Sequence, residues 1–355
     1  RWLLPLLILA PISVALALFH GPPVWVFCAS AAAILPLAGV LGAATDELAR
    51  NKGPALSGLL NATFGNATEL IIAIVAVRHR EVTIVKASLI GSILGNVLLV
   101  LGLSVFLGGL KHKVQKFNSD AAQSHVTLLG MAVVSLLVPA LFVRSVPGFH
   151  EAAQEPRIEG LSLGVAGVMV GLYVGSLIFS LWTHESLFQT GEESEPPSWR
   201  PGLALLALVL GALAIGVESE LLVRSIDPVV GQLHVSRLFL GVILIPIIGN
   251  AAEHSTAVWM ALRNKMDISL SIALSSSTQV AMFVAPVVIF VSVWMGNPIS
   301  ILFSNFELIS ITAAVVIAIL ISNDGQSHWF EGAQLLGAYA IVALAFLFVP
   351  GTPGR

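Results

Sequence analysis

Eleven stretches of about 20 mostly apolar residues, parted by short polar or Pro/Gly-rich breaks, constrain this chain more than any single motif. They fall at about 3–19, 24–45, 54–77, 83–109, 121–143, 160–183, 201–223, 238–262, 267–294, 305–322 and 332–350. A soluble fold of 355 residues cannot hide so much apolar surface: 56% of the residues are hydrophobic and 10% charged, against roughly 25% charged in an ordinary soluble protein. Lipid is the alternative solvent. Inside a bilayer the backbone must satisfy its own hydrogen bonds, so runs of this length read as helices. The expectation is an all-α polytopic membrane protein with eleven transmembrane helices and short connections, folded as one bundle.

The sparse polar residues narrow the function classes. A net charge of −3 with no basic cluster argues against nucleic acid as a partner. The single cysteine, Cys28, excludes a disulfide framework and a cysteine metal site. The longest polar break, HESLFQTGEESEPPS at 184–198, holds Glu185, Glu192, Glu193 and Glu195 and no Lys or Arg; it reads as a solvated acidic linker, with calcium gathering as the alternative. Lys and Arg divide nine to eight between the two sides of an eleven-span arrangement, so the positive-inside rule sets no orientation. Arg1, the following apolar stretch and Ala15-Leu16-Ala17 also fit a secretory leader; an ordinary first helix is the reading adopted.

Self-similarity is the most informative signal. Gly-Asn-Ala-Thr-Glu at 65–69 returns as Gly-Asn-Ala-Ala-Glu at 249–253, 184 positions later. The copies lie mid-run in the third and eighth stretches. Thr45-Asp46-Glu47 and Ser219-Glu220 end the runs before them, and GSILGN at 91–96 and LSSSTQ at 274–279 lie in the runs after them. The copies are five runs apart, an odd number, so they face opposite ways across the membrane. This predicts an inverted-topology repeat: an extra first helix (1–23), five helices (24–183), the acidic linker (184–200) and five more (201–355). Transporters use this plan and bind substrate near the midplane.

An ionised side chain at mid-bilayer costs on the order of 3 kcal/mol even on lenient scales. Glu69 and Glu253 lie about fifteen residues into their runs, roughly 20 Å of helix, and inverted symmetry would bring them to one centre. Asn66 and Asn250, three residues earlier, share their faces. Gly65 and Gly249 allow either close packing or a local opening of the backbone. Two carboxylates, two amide oxygens and nearby hydroxyls suit a hard divalent cation, calcium above all. Zinc or copper would require Cys or several His, and His254 alone is near. For His254 a ligand or proton-relay role stands beside a plain hydrogen bond. Ser92, Ser275, Ser276 and Ser277 are either site residues or small packing residues, and His125 reads as structural.

GNATEL at 65–70 and GNAAEH at 249–254 resemble the paired repeat signatures of the calcium/proton exchangers, in the cation/calcium exchanger superfamily, and NDGQSHWFEGA at 323–333 resembles that family's loop signature. The resemblance covers the whole chain. It implies that Glu69 and Glu253 bind calcium and exchange it for protons, helped by Asn66, Asn250 and carbonyls of the same helix breaks. Ser92, Ser276 and Gln279 match the family's polar positions in the fourth and ninth spans, and Glu220 the peripheral acid of the seventh. In the second span that acid is usually Glu; here Asp46 and Glu47 follow Thr45, and either fills the role. Glu218 has no clear match.

The expected function is therefore secondary antiport of calcium against protons by alternating access, with sodium/calcium exchange as the alternative. Calcium is the transported substrate, no organic cofactor is implied, and the chain is not an enzyme. Neither an HExxH nor a GxxxxGK[ST] motif is present, against a zinc hydrolase or an ATP-driven pump. The expected partners are calcium ions, protons and the lipid bilayer; a homo-oligomer is compatible, each protomer having its own transport path. The short termini favour a prokaryotic cell (inner) membrane over a vacuole.

Overall fold

The computed structural model describes residues 4–50, 54–146, 155–184 and 198–349. A 3-10 turn over Leu4–Ile8 leads into α1 (Leu9–Leu18), followed by α2 (Pro23–Ala49), α3 (Pro54–Phe64), α4 (Ala67–Arg78), α5 (Val82–Lys111), α6 (Ser119–Ser145) and α7 (Pro156–Thr183). Beyond the acidic segment come α8 (Pro201–Arg224), the short α9 (Ile226–Leu233), α10 (Arg237–Gly249), α11 (Ala251–Leu262), α12 (Met266–Trp294), α13 (Asn305–Ile321) and α14 (Trp329–Leu347). Most of the acidic linker, 185–197, lies outside the described residues.

Seven described helices, α2, α5, α6, α7, α8, α12 and α14, are long and apolar enough to cross a membrane; α9 with α10, bent by 117°, makes an eighth. The molecule is a polytopic, mostly helical membrane protein. Pro5–Leu18 and Asn305–Ile321 are shorter apolar helices. The 54–77 and 238–262 runs are not continuous helices: the first breaks between Phe64 and Ala67, the second between Gly249 and Ala251. Both breaks fall on the repeated Gly-Asn pair. Asn66 (φ −102°, ψ 26°) and Asn250 (φ −97°, ψ 5°) leave helical geometry, as residues whose short polar side chains compete for backbone groups readily do. Of the two roles open to these glycines, backbone opening is the one adopted.

Helix ends are set by ordinary local chemistry. Pro23 and Pro201 sit in the first turns of α2 and α8, where a missing N–H costs nothing. The Asn118 side chain accepts from the amides of Asp120 and Ala121, and Ser304 and Glu307 form a reciprocal cap on α13. The 323–333 motif supplies a two-residue strand, Gln326–Ser327, paired antiparallel with Gln115–Lys116, and a second reciprocal cap between His328 and Glu331.

α2 packs along α8, α4 against α8, the second half of α5 against α14 and α11, and α12 against α6, α7 and α11. α5 is the innermost helix, 83% of its apolar window buried, whereas α7 and α14 have 22% buried. The outward faces carry large apolar side chains, on α8 Leu203, Leu206, Leu210 and Leu213. These are lipid-facing surfaces rather than folding errors, because lipid removes any penalty for their exposure. α5 approaches α10 so closely that a methyl group on Gly91 would lie 2.1 Å from the Val242 carbonyl oxygen and 2.6 Å from Pro246 Cγ. A π-helical segment follows the polar stretch in both inner helices, Gly95–Val100 in α5 and Val280–Val284 in α12; such segments recur at functional sites.

Candidate ion-binding site

The two helix breaks meet the polar stretches of α5 and α12 in the middle of the bundle, and their side chains cross over. Asn66 Nδ2 donates to Gln279 Oε1 on α12 (2.5 Å), while its Oδ1 accepts from Ser276 Oγ (3.1 Å). Asn250 Nδ2 donates to Ser92 Oγ on α5 (3.2 Å) and to the Pro246 carbonyl (3.1 Å). Each asparagine therefore bonds a serine of the other half of the chain, 210 residues away in one case and 158 in the other. Asn66, Asn250, Ser92 and Ser276 are all buried.

Glu69, in the first turn of α4, is buried, and a methyl group on Gly249 would lie 3.1 Å from its Oε1. That carboxylate thus sits against the break of the opposite half, and it borders a small cavity with Ser88, Ser92, Pro246 and Gly249. Glu253 stands in the first turn of α11 beside Ser276, within electrostatic reach of Glu69. Two oxygen acceptors, Glu253 Oε2 and Asn250 Oδ1, are buried without a hydrogen-bond partner among the described residues. Buried acceptors are nearly always satisfied; one of these two oxygens belongs to a central carboxylate and the other to the asparagine of the same helix break. Among the described residues no three His, Cys, Asp or Glu side chains converge. The donor set is carboxylate, amide and hydroxyl oxygen, the chemistry of a hard cation rather than zinc.

His254 Nε2 lies 3.2 Å from Asn96 Oδ1, and Asn96 Nδ2 donates to Ser276 Oγ at 3.0 Å. Because the Asn96 amide nitrogen is committed to Ser276, its oxygen is the acceptor and His254 donates from Nε2. Asn96 is the site-region residue that reasoning on the sequence missed. It closes the GSILGN stretch, so the signal was present, but nothing in the sequence singled it out as the link between α5, α11 and α12.

The peripheral acids lie apart from this centre. Glu220, near the end of α8, accepts from His79 Nε2 (2.8 Å) and pairs with Arg224 (2.7 Å). The two candidates in α2 separate cleanly. Glu47 accepts from the backbone amides of Ser198 (2.9 Å) and Trp199 (3.1 Å) and from Ser198 Oγ (2.6 Å), and so caps the chain where it leaves the acidic segment. Asp46 is exposed. Between α4 and α5, Glu81 pairs with Arg237 of α10, which also binds Asp227 of α9. Burial and the nearby Asp227 push the Glu81 carboxyl above its usual range, against the pull of Arg237 and His79.

A cavity of about 830 Å³ reaches Gln279 from one side of the bundle. Its walls include Gln123 and His125 of α6, Tyr173 of α7, and Ser271 and Ser275 of α12. Gln123 and Ser271 lie a turn or so inside the starts of α6 and α12, so the cavity extends toward the 112–118 and 263–265 connections. Ser275 and His125 therefore line this cavity. Ser277 is instead buried and bonded to the Ala273 carbonyl.

Known proteins resemble this chain over nearly its whole length. The sodium/calcium exchanger protein family matches residues 22–182 and 203–348. A "Ca(2+)/H(+) antiporter" of Synechocystis sp. is 44% identical over 98% of this chain and 97% of its own length. The "Ca(2+)/H(+) antiporter ChaA" of Bacillus subtilis is 43% identical over 96% of each chain. Among solved structures, native YfkE superposes with a TM-score of 0.85 at 39% identity, covering 98% of this chain and all of that one. An H+/Ca2+ exchanger, CAX, shares the fold with a TM-score of 0.74 at 15% identity, covering 98% and 92% of the two chains. With its family match running through nearly every described helix, the chain belongs to the sodium/calcium exchanger protein family.

Proposed function

We propose that this chain is a secondary antiporter that exchanges calcium for protons across a prokaryotic cell membrane by alternating access, with Glu69 and Glu253 as the shared site. The observation that carries the reading is the pairing of two intramembrane carboxylates at two helix breaks, with Asn250 Oδ1 and Glu253 Oε2 of the second break left without a hydrogen-bond partner among the described residues. Calcium is the substrate that fits: two ionised carboxylates balance its charge, and Asn66, Asn250, Ser92 and Ser276 supply further oxygens, with Gln279 bordering the cavity. His254 acts through Asn96 and Ser276. Asp46, Glu47 and Glu220 act at the entrances rather than at the centre. The relatives named as calcium/proton antiporters support protons over sodium as the exchanged ion.

We assign eleven crossings, one helix over 1–23 followed by two inverted halves at 24–183 and 201–355, joined by the linker at 184–200. The support is the repeated motif, the matching helix breaks and the reciprocal Asn–Ser bonds. Every proposed ligand comes from one chain, so an oligomer would carry a complete path in each protomer.

Coupling follows from charge. Calcium needs ionised oxygens, and protons bind the same oxygens, so each ion must weaken binding of the other by the same factor. The empty, doubly charged site resists passage between states, since each stranded charge costs on the order of 3 kcal/mol; loaded with calcium, or protonated, it is neutral and can turn over. In liposomes holding a pH dye and no sodium, calcium influx should drive proton efflux, and apparent calcium affinity should fall as pH drops. Calcium flux with no proton movement would overturn the reading, and a strict requirement for sodium would favour the sodium/calcium alternative.

A further inference from the structure

A third intramembrane carboxyl lies away from the centre. Glu218 of α8 is 1% exposed, beside Ser13 of α1 and Ser30 of α2, both wholly buried. Glu218 is six residues from the end of α8, Ser13 five from the end of α1, and Ser30 seven from the start of α2. These helix ends share one side of the bundle, so all three side chains sit about 8–10 Å inside it. Residues 4–18 contain no charged side chain. On α2, Asp46 and Glu47 are at the far end. From α4 the ionisable groups are Glu69 at its start and Arg78 at its exposed end, with His79 just beyond. His79, Arg224 and Glu220 form their own cluster, and Asp227 of α9 is taken by Arg237. No ion pair involves Glu218 among the described residues.

The hydrogen count decides its state. Ser13 Oγ lies 2.7 Å from the Ala10 carbonyl oxygen, and 2.9 Å and 2.7 Å from Glu218 Oε1 and Oε2. A hydroxyl has one hydrogen to give and can accept others. If Ser13 spends its hydrogen on an ionised Glu218, the charge is buried without a cationic partner and the short contact to Ala10 holds two acceptors with nothing between. If Glu218 carries the hydrogen, the contact to Ala10 and one of the two contacts to the carboxyl are both filled: the acid donates to Ser13, and Ser13 donates to Ala10. We propose that Glu218 is a standing proton site, a neutral carboxylic acid whose O–H bolts the first helix to α8. The helices α1, α2 and α8 are then held as one unit, and that unit adds no charge to the membrane interior. The proton is structural and is not exchanged with calcium.

Infrared spectroscopy of purified protein reads this directly. The background is the double variant Glu69→Gln/Glu253→Gln, which removes both central carboxyls from the spectrum whatever they bind. At neutral pH a protonated-carboxyl C=O band should be present, should disappear on adding Glu218→Gln, and should shift to higher frequency on adding Ser13→Ala, because one hydrogen bond to the acid is lost. In the otherwise native chain, Glu218→Gln keeps a donor for Ser13 and should leave melting temperature and transport close to wild type, whereas Glu218→Ala should lower the melting temperature. A band unchanged by Glu218→Gln, or unmoved by Ser13→Ala, would overturn the proposal. So would a Glu218→Gln protein as unstable as Glu218→Ala, since the donated proton would then be irrelevant.

Discussion

Alanine at position 249 separates the fold from the site. Gly249 closes α10, and among the described residues the glycines with positive φ are Gly296 and Gly325, so the backbone there accepts an L side chain. Replacing glycine by alanine where the backbone is compatible stabilises by roughly 0.4–1 kcal/mol through the unfolded chain. The obstacle is Glu69. The new methyl would lie 3.1 Å from Oε1, 3.6 Å from Cδ and 3.7 Å from Cγ; the first of these is a few tenths of an ångström too close, so the carboxylate must withdraw. On the proposed function it withdraws from the ion. Losing one charge-assisted contact costs about 1.5–3 kcal/mol, a weakening of calcium binding of roughly tenfold to a hundredfold. The assay is a calcium titration of purified Gly249→Ala beside its melting curve, with Gly42→Ala, which has open space around it, as the control. The expected result is a melting temperature at or above wild type with weakened calcium binding. Wild-type calcium affinity would refute the placement of the Glu69 carboxylate at the break as part of the ion site.

Glu69→Gln and Glu253→Gln should each abolish calcium transport while leaving the protein folded, because Gln keeps the volume and removes charge that balances the ion; near wild-type transport by either variant would remove that residue from the site. Glu220→Gln removes the charge that pairs with His79 and Arg224, worth about 1 kcal/mol or less at a half-buried position, and should slow transport while equilibrium calcium binding persists. Loss of binding in that variant would put Glu220 in contact with the ion. Gly91→Ala drives a methyl into the Val242 carbonyl and should destabilise by about 1–3 kcal/mol; an unchanged melting temperature would contradict the close approach of α5 and α10.

Much of this was legible in the sequence because it is local. Whether a run of residues is apolar and about 20 long depends on its own composition and on bilayer thickness, and the membrane class follows from that alone. The repeated Gly-Asn-Ala-x-Glu is also a local signal, and it located both helix breaks, since the same two residues that mark the motif leave helical geometry. It could not say that the third and eighth runs would break rather than merely pack closely. Glycine permits both outcomes, and the choice rests on what the neighbouring helices press against it.

The partners of each polar side chain came from tertiary structure alone. Asn66 with Gln279, Asn250 with Ser92, and Asn96 between His254 and Ser276 are contacts across 150 residues or more, and sequence spacing carries no information about which helix faces which. The same holds for Asp46 and Glu47, adjacent and chemically alike: rotation of α2 against α8 decides that Glu47 meets the backbone of Ser198 and Trp199 while Asp46 faces out. The cavities are of this kind too: one of about 830 Å³ reaches Gln279, and Glu69 borders a small one. The sequence determined a membrane bundle with two matched acidic motifs; only packing determined what each oxygen touches, because a hydrogen bond depends on ångström-scale placement of two groups that the chain itself holds far apart.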